Sequence, residues 1–224
     1  MKALALDTSS NVTGLALHVD GVDTFEVIGT GRSHSRDILP GIETLLTENG
    51  VALGDLDALV YAKGPGSFTG LRITVGVVQG LAFGLDIPVV PVSTLACLAQ
   101  REYRLRGVEA SLVAVTARED ELFFGAYRII DGIATLSGQE GLCRAGEFPL
   151  PAVEASWSGC GDGWTFVTQI EASLGHAVEV TDTTVTPEPA DLLAIGLHGY
   201  HHGLAVSAME AEPEYLREQV ATPK

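Results

Sequence analysis

The sequence predicts a duplicated α/β fold of two lobes, each opening with a three-strand meander and continuing in alternating helices and strands. Three observations predict it. Short apolar runs broken by Asp-Gly turns open the chain and recur after residue 107. Segments with helical apolar periodicity follow each set of strands. A strand, a glycine loop and a long apolar helix at residues 59–85 form the junction around which the first lobe is organised. The repeat is one of topology, without matching residues between the halves.

In chain order, residues 2–7 read as a buried strand, and Thr8, Ser9, Ser10 and Asn11 supply turn chemistry. Residues 14–19 and 24–29 form the next two strands about the hairpin signal Asp20-Gly21. The run from Ser33 to Asp37 introduces a helix whose Ile38, Ile42, Leu45 and Leu46 follow a 3.6-residue period, with Pro40 in its first turn and Gly50 at its end. A strand at 58–61, the glycine loop with its helix, a short strand at 89–92 and a helix from Thr94 to about Leu105 complete the order βββαβαβα. The second lobe starts with strands at 112–116, 122–130 and 133–142, the last two joined by Asp131-Gly132. A fourth strand at 156–160, the loop Gly161-Asp162-Gly163, a helix at 164–174, a Thr/Pro-rich link at 181–187 and a helix at 189–201 follow. The expected domains are 1–106 and 107–224, with a return of the last segment to the first lobe left open.

At the junction, Leu59, Val60 and Tyr61 lead into Gly64, Pro65, Gly66, Ser67, Phe68, Thr69, Gly70, Leu71 and Arg72. Glycine and proline force a tight turn there, and Ser67 or Thr69 is placed to cap the helix. Phosphate binding at the helix N-terminus is one reading. Neither the P-loop spacing nor Gly-x-Gly-x-x-Gly is present, and a turn that lets the helix pack close to the sheet is the other reading. Gly76, Gly80 and Gly84 recur every fourth residue and share one side of the helix. Each interior glycine costs about 1 kcal/mol against alanine, so the stripe marks close packing with the chain's own sheet or with a partner. Spacing alone does not decide between them. Arg72, Gln79 and Asp86 interrupt a segment that would need about 20 apolar residues to span a membrane.

A formal charge of −16 over 224 residues repels phosphate backbones, so tight binding of tRNA or DNA by this chain alone is not expected, nor is attraction to anionic membranes. A hydrophobic content of 46% with 26 glycines indicates a folded, turn-rich chain. Cys97, Cys143 and Cys160 are odd in number and far apart, without Cys-x-x-Cys, which indicates neither a disulfide framework nor a zinc knuckle. Reduced thiols and a cytoplasmic location are expected. The chain reaches Asp7 too early for a signal-peptide apolar region.

Other constellations are weaker. His198 and His202 stand four residues apart ahead of Glu210 and Glu212, so a metal site can be drawn. No third ligand sits at a motif distance, Gly199 and Gly203 loosen the helix, and a solvated helix end is the simpler reading. His-Glu-x-x-His and Gly-x-Ser-x-Gly are both absent, which argues against a zincin peptidase and a serine hydrolase. Asp55 with Asp57, and Glu119 with Asp120 and Glu121, read as solvated loop charge.

Leu6-Asp7-Thr8-Ser9, His34-Ser35 with Leu39-Pro40, the run Gly64 to Ile73, and Pro213-Glu214-Tyr215-Leu216-Arg217 together resemble the bacterial TsaB (YeaZ) family of tRNA threonylcarbamoyladenosine biosynthesis proteins. The resemblance runs from end to end and is strongest from Gly64 to Ile73. It implies the duplicated fold of actin, hexokinase and Hsp70, and descent shared with a catalytic paralogue, TsaD. It implies a non-catalytic subunit that works with TsaD and the ATPase TsaE to place threonylcarbamoyl on N6 of the adenosine next to the tRNA anticodon. On this reading the chain alone binds no cofactor, ATP and a metal belong to the partner subunits, and tRNA is met only through the complex. The partner surface it implies lies on two helices and comprises Ile38, Ile42, Leu45, Ile73, Gly76, Val77, Gly80 and Gly84, facing the catalytic paralogue or, when alone, a second copy. Where the paralogue carries a His-x-x-x-His metal pair, this chain has Thr94 and Leu98, neither a usual ligand there. The first phosphate turn is Asp7-Thr8-Ser9-Ser10 in place of a glycine-rich one. The chain departs from the family with Thr116-Ala117-Arg118 where Asp-Ala-Arg is usual. The alternative function is an independent ATP-dependent small-molecule kinase of the same superfold, which would need larger lobes and intact glycine phosphate turns.

Overall fold

Unbroken burial along the central strands decides the layering, because it requires cover on both faces of each sheet. The computed structural model describes residues 1–29, 33–151, 155–183 and 186–216. They form two units, the first made of Met1–Thr94 with Pro187–Glu214 and the second running from Leu95 to Thr186.

The first unit holds β1 (Lys2–Asp7), β2 (Thr13–Val19), β3 (Val22–Ile28), β4 (Ala58–Gly64) and β5 (Val89–Ser93) in the order β3-β2-β1-β4-β5. The first three strands are antiparallel, while β4 pairs parallel with β1 and β5 parallel with β4. Ala3, Leu4, Ala5 and Leu6 are all fully buried, as a central strand covered on both faces requires. On one face, Leu4, Leu6, Leu59 and Tyr61 pack with Ile38, Ile42 and Leu45 of α1 (His34–Glu48) and Val75 and Val78 of α2 (Phe68–Leu85). Val60, between Leu59 and Tyr61, points the other way, onto α5 (Pro189–His201). A Cβ on Gly196 of α5 would lie 2.2 Å from the Val60 side chain, so glycine there sets how closely that helix seats.

The second unit repeats this plan. Its strands are β6 (Ala110–Arg118), β7 (Glu121–Ile130), β8 (Ile133–Leu136), β9 (Gly141–Arg144), β10 (Ser158–Cys160) and β11 (Glu179–Asp182), ordered β11-β10-β6-β7-β8 with β9 on β7. With β9 set aside, the third, second, first, fourth and fifth strands of each unit stand side by side in that order, read from β3 in the first sheet and from β8 in the second. The duplicated α/β fold is therefore present, with an antiparallel meander opening each lobe. Trp164 anchors this core: its indole N–H donates to the Leu112 carbonyl at 2.8 Å, and its ring stands 6.0 Å from Phe148.

Several expectations need correction. The boundary falls at Thr94, not after residue 106, because α3 (Thr94–Arg106) is tied to the second unit. The Gln100 amide donates to Gly132 O at 3.0 Å and accepts from Ala134 N at 2.7 Å, and Arg106 pairs with Asp182 at 3.2 Å. The strand expected over 133–142 is two strands: β8 pairs with the end of β7 and β9 with its start, and the chain changes places through Gly138 at φ +103°. Residues 162–166 form a 3-10 turn ahead of α4 (Val167–Leu174). The link expected over 181–187 hides the end of β11, which the sequence reading missed. Pro40 lies inside α1, beyond its first turn, on the solvent side. Residues 184 and 185 of the link and Arg217 of the C-terminal motif lie outside the described residues.

Candidate functional site

The residues from Gly64 to Arg72 come together where β4 ends and α2 begins. Gly64 stands at φ +120°, a conformation glycine alone adopts freely, and precedes a cis bond to Pro65. Ser67 is the N-cap, its hydroxyl accepting from Gly70 N at 3.2 Å, which makes Ser67 and not Thr69 the capping residue.

This helix start is seated on the turn after β1. Ser67 N donates to Ser9 O at 2.7 Å, Thr8 Oγ1 donates to Gly70 O at 2.6 Å, and Thr8 N donates to Thr74 Oγ1 at 3.1 Å. A Cβ on Gly70 would lie 1.8 Å from Thr8 O, and one on Gly66 2.6 Å from Ser9 O. These glycines serve close packing. Ser9 N is taken by Asp7 Oδ1 at 2.6 Å, so the N–H groups of Thr8, Ser9, Ser67 and Gly70 are all committed within the chain. A phosphate would have to displace these bonds, and of the two readings of the loop the packing one fits.

Burial holds the Asp7 carboxyl above its ordinary range, with hydrogen bonds from Ser9 and the nearby His34 acting the other way. His34 is itself buried, its Nδ1 2.8 Å from Thr13 Oγ1. Burial also pushes the Cys143 thiol up to about 11 and raises Cys160, so neither supplies a thiolate at neutral pH.

A second feature joins the glycine loop. Residues Ala211 to Glu214 run as a strap beside β4 and α2: Glu214 N donates to Lys63 O at 2.8 Å, and Gln79 Nε2 donates to Ala211 O at 2.8 Å. The Tyr61 hydroxyl donates to Glu212 O at 3.2 Å and accepts from Glu212 N at 3.1 Å. Lys63 pairs with Glu214 at 2.8 Å. Pro213 and Glu214 were legible as a motif, but the long-range pairing was not.

The helix α2 is two-faced. Leu71, Thr74, Val75, Val78 and Ala82 are buried against the lobe. Gly76, Gly80 and Gly84 lie on the opposite side, and a Cβ added at any of them meets nothing within 4 Å. Beside them Ile73 and Val77 are half-buried, while Phe68 is 47% and Phe83 74% exposed. Arg72 lies over the Phe68 ring at 4.0 Å, a cation–π contact. Leu39 of the neighbouring α1 is also exposed. By length and composition α2 could cross a membrane, yet its other face is part of the lobe's core. Of the expected partner residues, Ile38, Ile42 and Leu45 are buried in the lobe itself and are corrected to core residues; α1 presents Leu39 instead. Sequence periodicity missed Phe83, because α2 is apolar on nearly every side and shows no polar face to mark the exposed one.

Comparison with known proteins places this geometry. The sequence model of the family described as TsaD: tRNA N6-adenosine threonylcarbamoyltransferase matches residues 29–224. The chain is 34% identical to the tRNA threonylcarbamoyladenosine biosynthesis protein TsaB of Escherichia coli K12, over 100% of this chain and 98% of that one. It is 32% identical to the TsaB protein of Haemophilus influenzae, over 99% and 95% of the two chains. The solved structure of YeaZ from Pseudomonas aeruginosa superposes with a TM-score of 0.87 at 38% identity, covering 96% of this chain and 99% of that one.

Proposed function

The chain belongs to the TsaB (YeaZ) family of tRNA threonylcarbamoyladenosine biosynthesis proteins, and from that membership we propose that it is a non-catalytic subunit acting through a TsaD-like partner. Its role lies in the threonylcarbamoyladenosine modification of tRNA. In the proposed division of labour, the TsaD-like subunit transfers threonylcarbamoyl to N6 of the adenosine beside the anticodon, a TsaE-like ATPase drives the cycle, and ATP and metal are held by those partners. This chain docks the catalytic subunit on the open face of α2, or pairs with a second copy of itself when alone, in the cytoplasm.

The open glycine stripe carries this reading. Three interior glycines cost the helix about 1 kcal/mol each, and the lobe gains no close contact from Gly76, Gly80 or Gly84. A helix from outside can approach such a stripe closely, with Phe68, Phe83 and Ile73 supplying apolar area worth about 25 cal/mol per Å² removed from water. The kinase alternative is disfavoured by the committed N–H groups of the turn after β1. Thr94 and Leu98, at the positions the resemblance aligns with the paralogue's metal pair, are buried side chains of α3. Reconstituted transfer with and without this chain tests the proposal: activity should need both subunits, and this chain alone should have none. Binding of ATP and magnesium to the isolated chain at sub-millimolar concentration would favour the kinase.

A further inference from the structure

Residues 206–214 run back along α2, from its end toward its start. Val206 exchanges backbone hydrogen bonds with Val89, at 2.8 and 2.9 Å, just beyond the end of the helix. Ala211 O then takes the Gln79 amide, and Glu214 N reaches Lys63 O ahead of the helix. Met209 stands between the first two of these anchors, in a 3-10 turn (Ala208–Glu210) that packs on α2. It is therefore level with the turn of α2 that follows Gln79, whose outward apolar residue is Phe83. Its neighbours hold Met209 out. Ala208 packs on the core, Ala211 is fully buried, and Ser207 donates its N–H and hydroxyl to the Glu210 carboxylate at 3.1 and 2.7 Å. Met209 at 77% and Phe83 at 74% are the two most exposed large apolar side chains among the described residues. Single exposed apolar side chains are ordinary, but two on one edge of an already apolar face extend that face. Met209 is also the only methionine besides Met1, and Cys97 and Cys160 are buried, so the reactive sulfur of this surface is its thioether.

We propose that Met209 completes the α2 docking face and makes it sensitive to peroxide-class oxidants, an inference that rests on the docking role proposed above. Reduced, its flexible, unbranched side chain fills space against the docked partner. On oxidation the sulfur lone pair takes one oxygen of hydrogen peroxide: the O–O bond breaks, an S–O bond forms, and the second oxygen leaves as water with both protons. Sulfur loses two electrons and peroxide gains them. The sulfoxide oxygen is a polar group that the apolar contact would strip of water without replacing its hydrogen bonds, so association falls.

The test oxidises this chain alone with hydrogen peroxide, removes the oxidant, locates the added oxygen at Met209 by peptide mass, and titrates the product with an untreated TsaD-like subunit. Wild type should bind at least about tenfold more weakly after oxidation and recover on treatment with methionine sulfoxide reductases. Met209→Leu stays apolar and has no sulfur there to oxidise, so it should bind as untreated wild type does, before and after peroxide. Met209→Gln, permanently polar, should bind as weakly as the oxidised chain without any treatment. Circular dichroism should be the same for every sample, since the side chain is exposed. Unchanged binding by oxidised wild type, or an equal loss in peroxide-treated Met209→Leu, would overturn the inference. Gly80→Arg, titrated alongside, separates it from the reading beneath. Loss of binding in Gly80→Arg with no effect of oxidation keeps the docking face and overturns the role of Met209, while normal binding of Gly80→Arg overturns both.

Discussion

Ser67 donates its backbone N–H to the carbonyl of Ser9 at 2.7 Å, and this bond seats the start of α2 on the turn that follows β1. The approach leaves no room at Gly70, where a Cβ would lie 1.8 Å from Thr8 O. Gly70→Ala should therefore destabilise the isolated chain by at least about 3 kcal/mol, since the obstructing atom is backbone and cannot rotate away. Urea unfolding measures this, and a change under 1 kcal/mol would mean the turn yields.

The same substitution further along α2 should have the opposite sign. Gly76 and Gly84 face open space within the chain, so Gly76→Ala or Gly84→Ala should stabilise the monomer by about 0.5–1 kcal/mol each. Binding to a TsaD-like partner should weaken at the same time, because each added methyl holds the two helices apart. Unfolding curves and a binding titration on one preparation check both halves.

Much of this was legible before the structure. β1 and β4 are unbroken apolar runs, the Asp20-Gly21 and Asp131-Gly132 turns mark hairpins, and the glycine loop between β4 and α2 names itself by residue type. The direction in which α2 faces was not legible, since apolar residues surround it and only tertiary packing selects Val75 and Val78 over Phe83 for burial. Nor was β11 visible, four residues long and edged with Glu179 and Asp182, because its pairing with β10 is parallel and non-local. Ile38, Ile42 and Leu45 illustrate the converse: a clear helical stripe says which side is apolar, not whether the apolar side meets its own core or another chain.

The strap from Ala211 to Glu214 hangs on the Tyr61 hydroxyl, which both donates to and accepts from Glu212. Tyr61→Phe should cost about 1 kcal/mol and loosen the strap locally. Hydrogen exchange at Glu212 and Glu214 should accelerate more than at β1. Uniform exchange across the sheet would show that the strap does not open separately.

Asp7 gives a pH signature. Burial raises its pKa above the ordinary 3.8, so as pH falls the folded chain takes up this proton before the unfolded chain does. Ionised Asp7 therefore detracts from stability at neutral pH, and the cost disappears as pH falls through the raised value toward the unfolded one. Asp7→Asn keeps an acceptor for Ser9 N–H and removes the charge. Its stability should match or exceed wild type at about pH 7, with the difference shrinking toward about pH 4. Urea unfolding at the two pH values decides it, and a pH-independent difference would contradict the assignment.

That the open face of α2 is the docking surface is tested most directly by Gly80→Arg, measured by co-elution with a TsaD-like subunit alongside circular dichroism of the variant alone. A Cβ at this position meets nothing within 4 Å in the isolated chain, so the fold should be unchanged. Buried between two helices it would place an uncompensated charge in an apolar contact, and co-elution should be lost. A folded variant that still co-elutes as wild type does, or a variant that fails to fold, would contradict the docking surface.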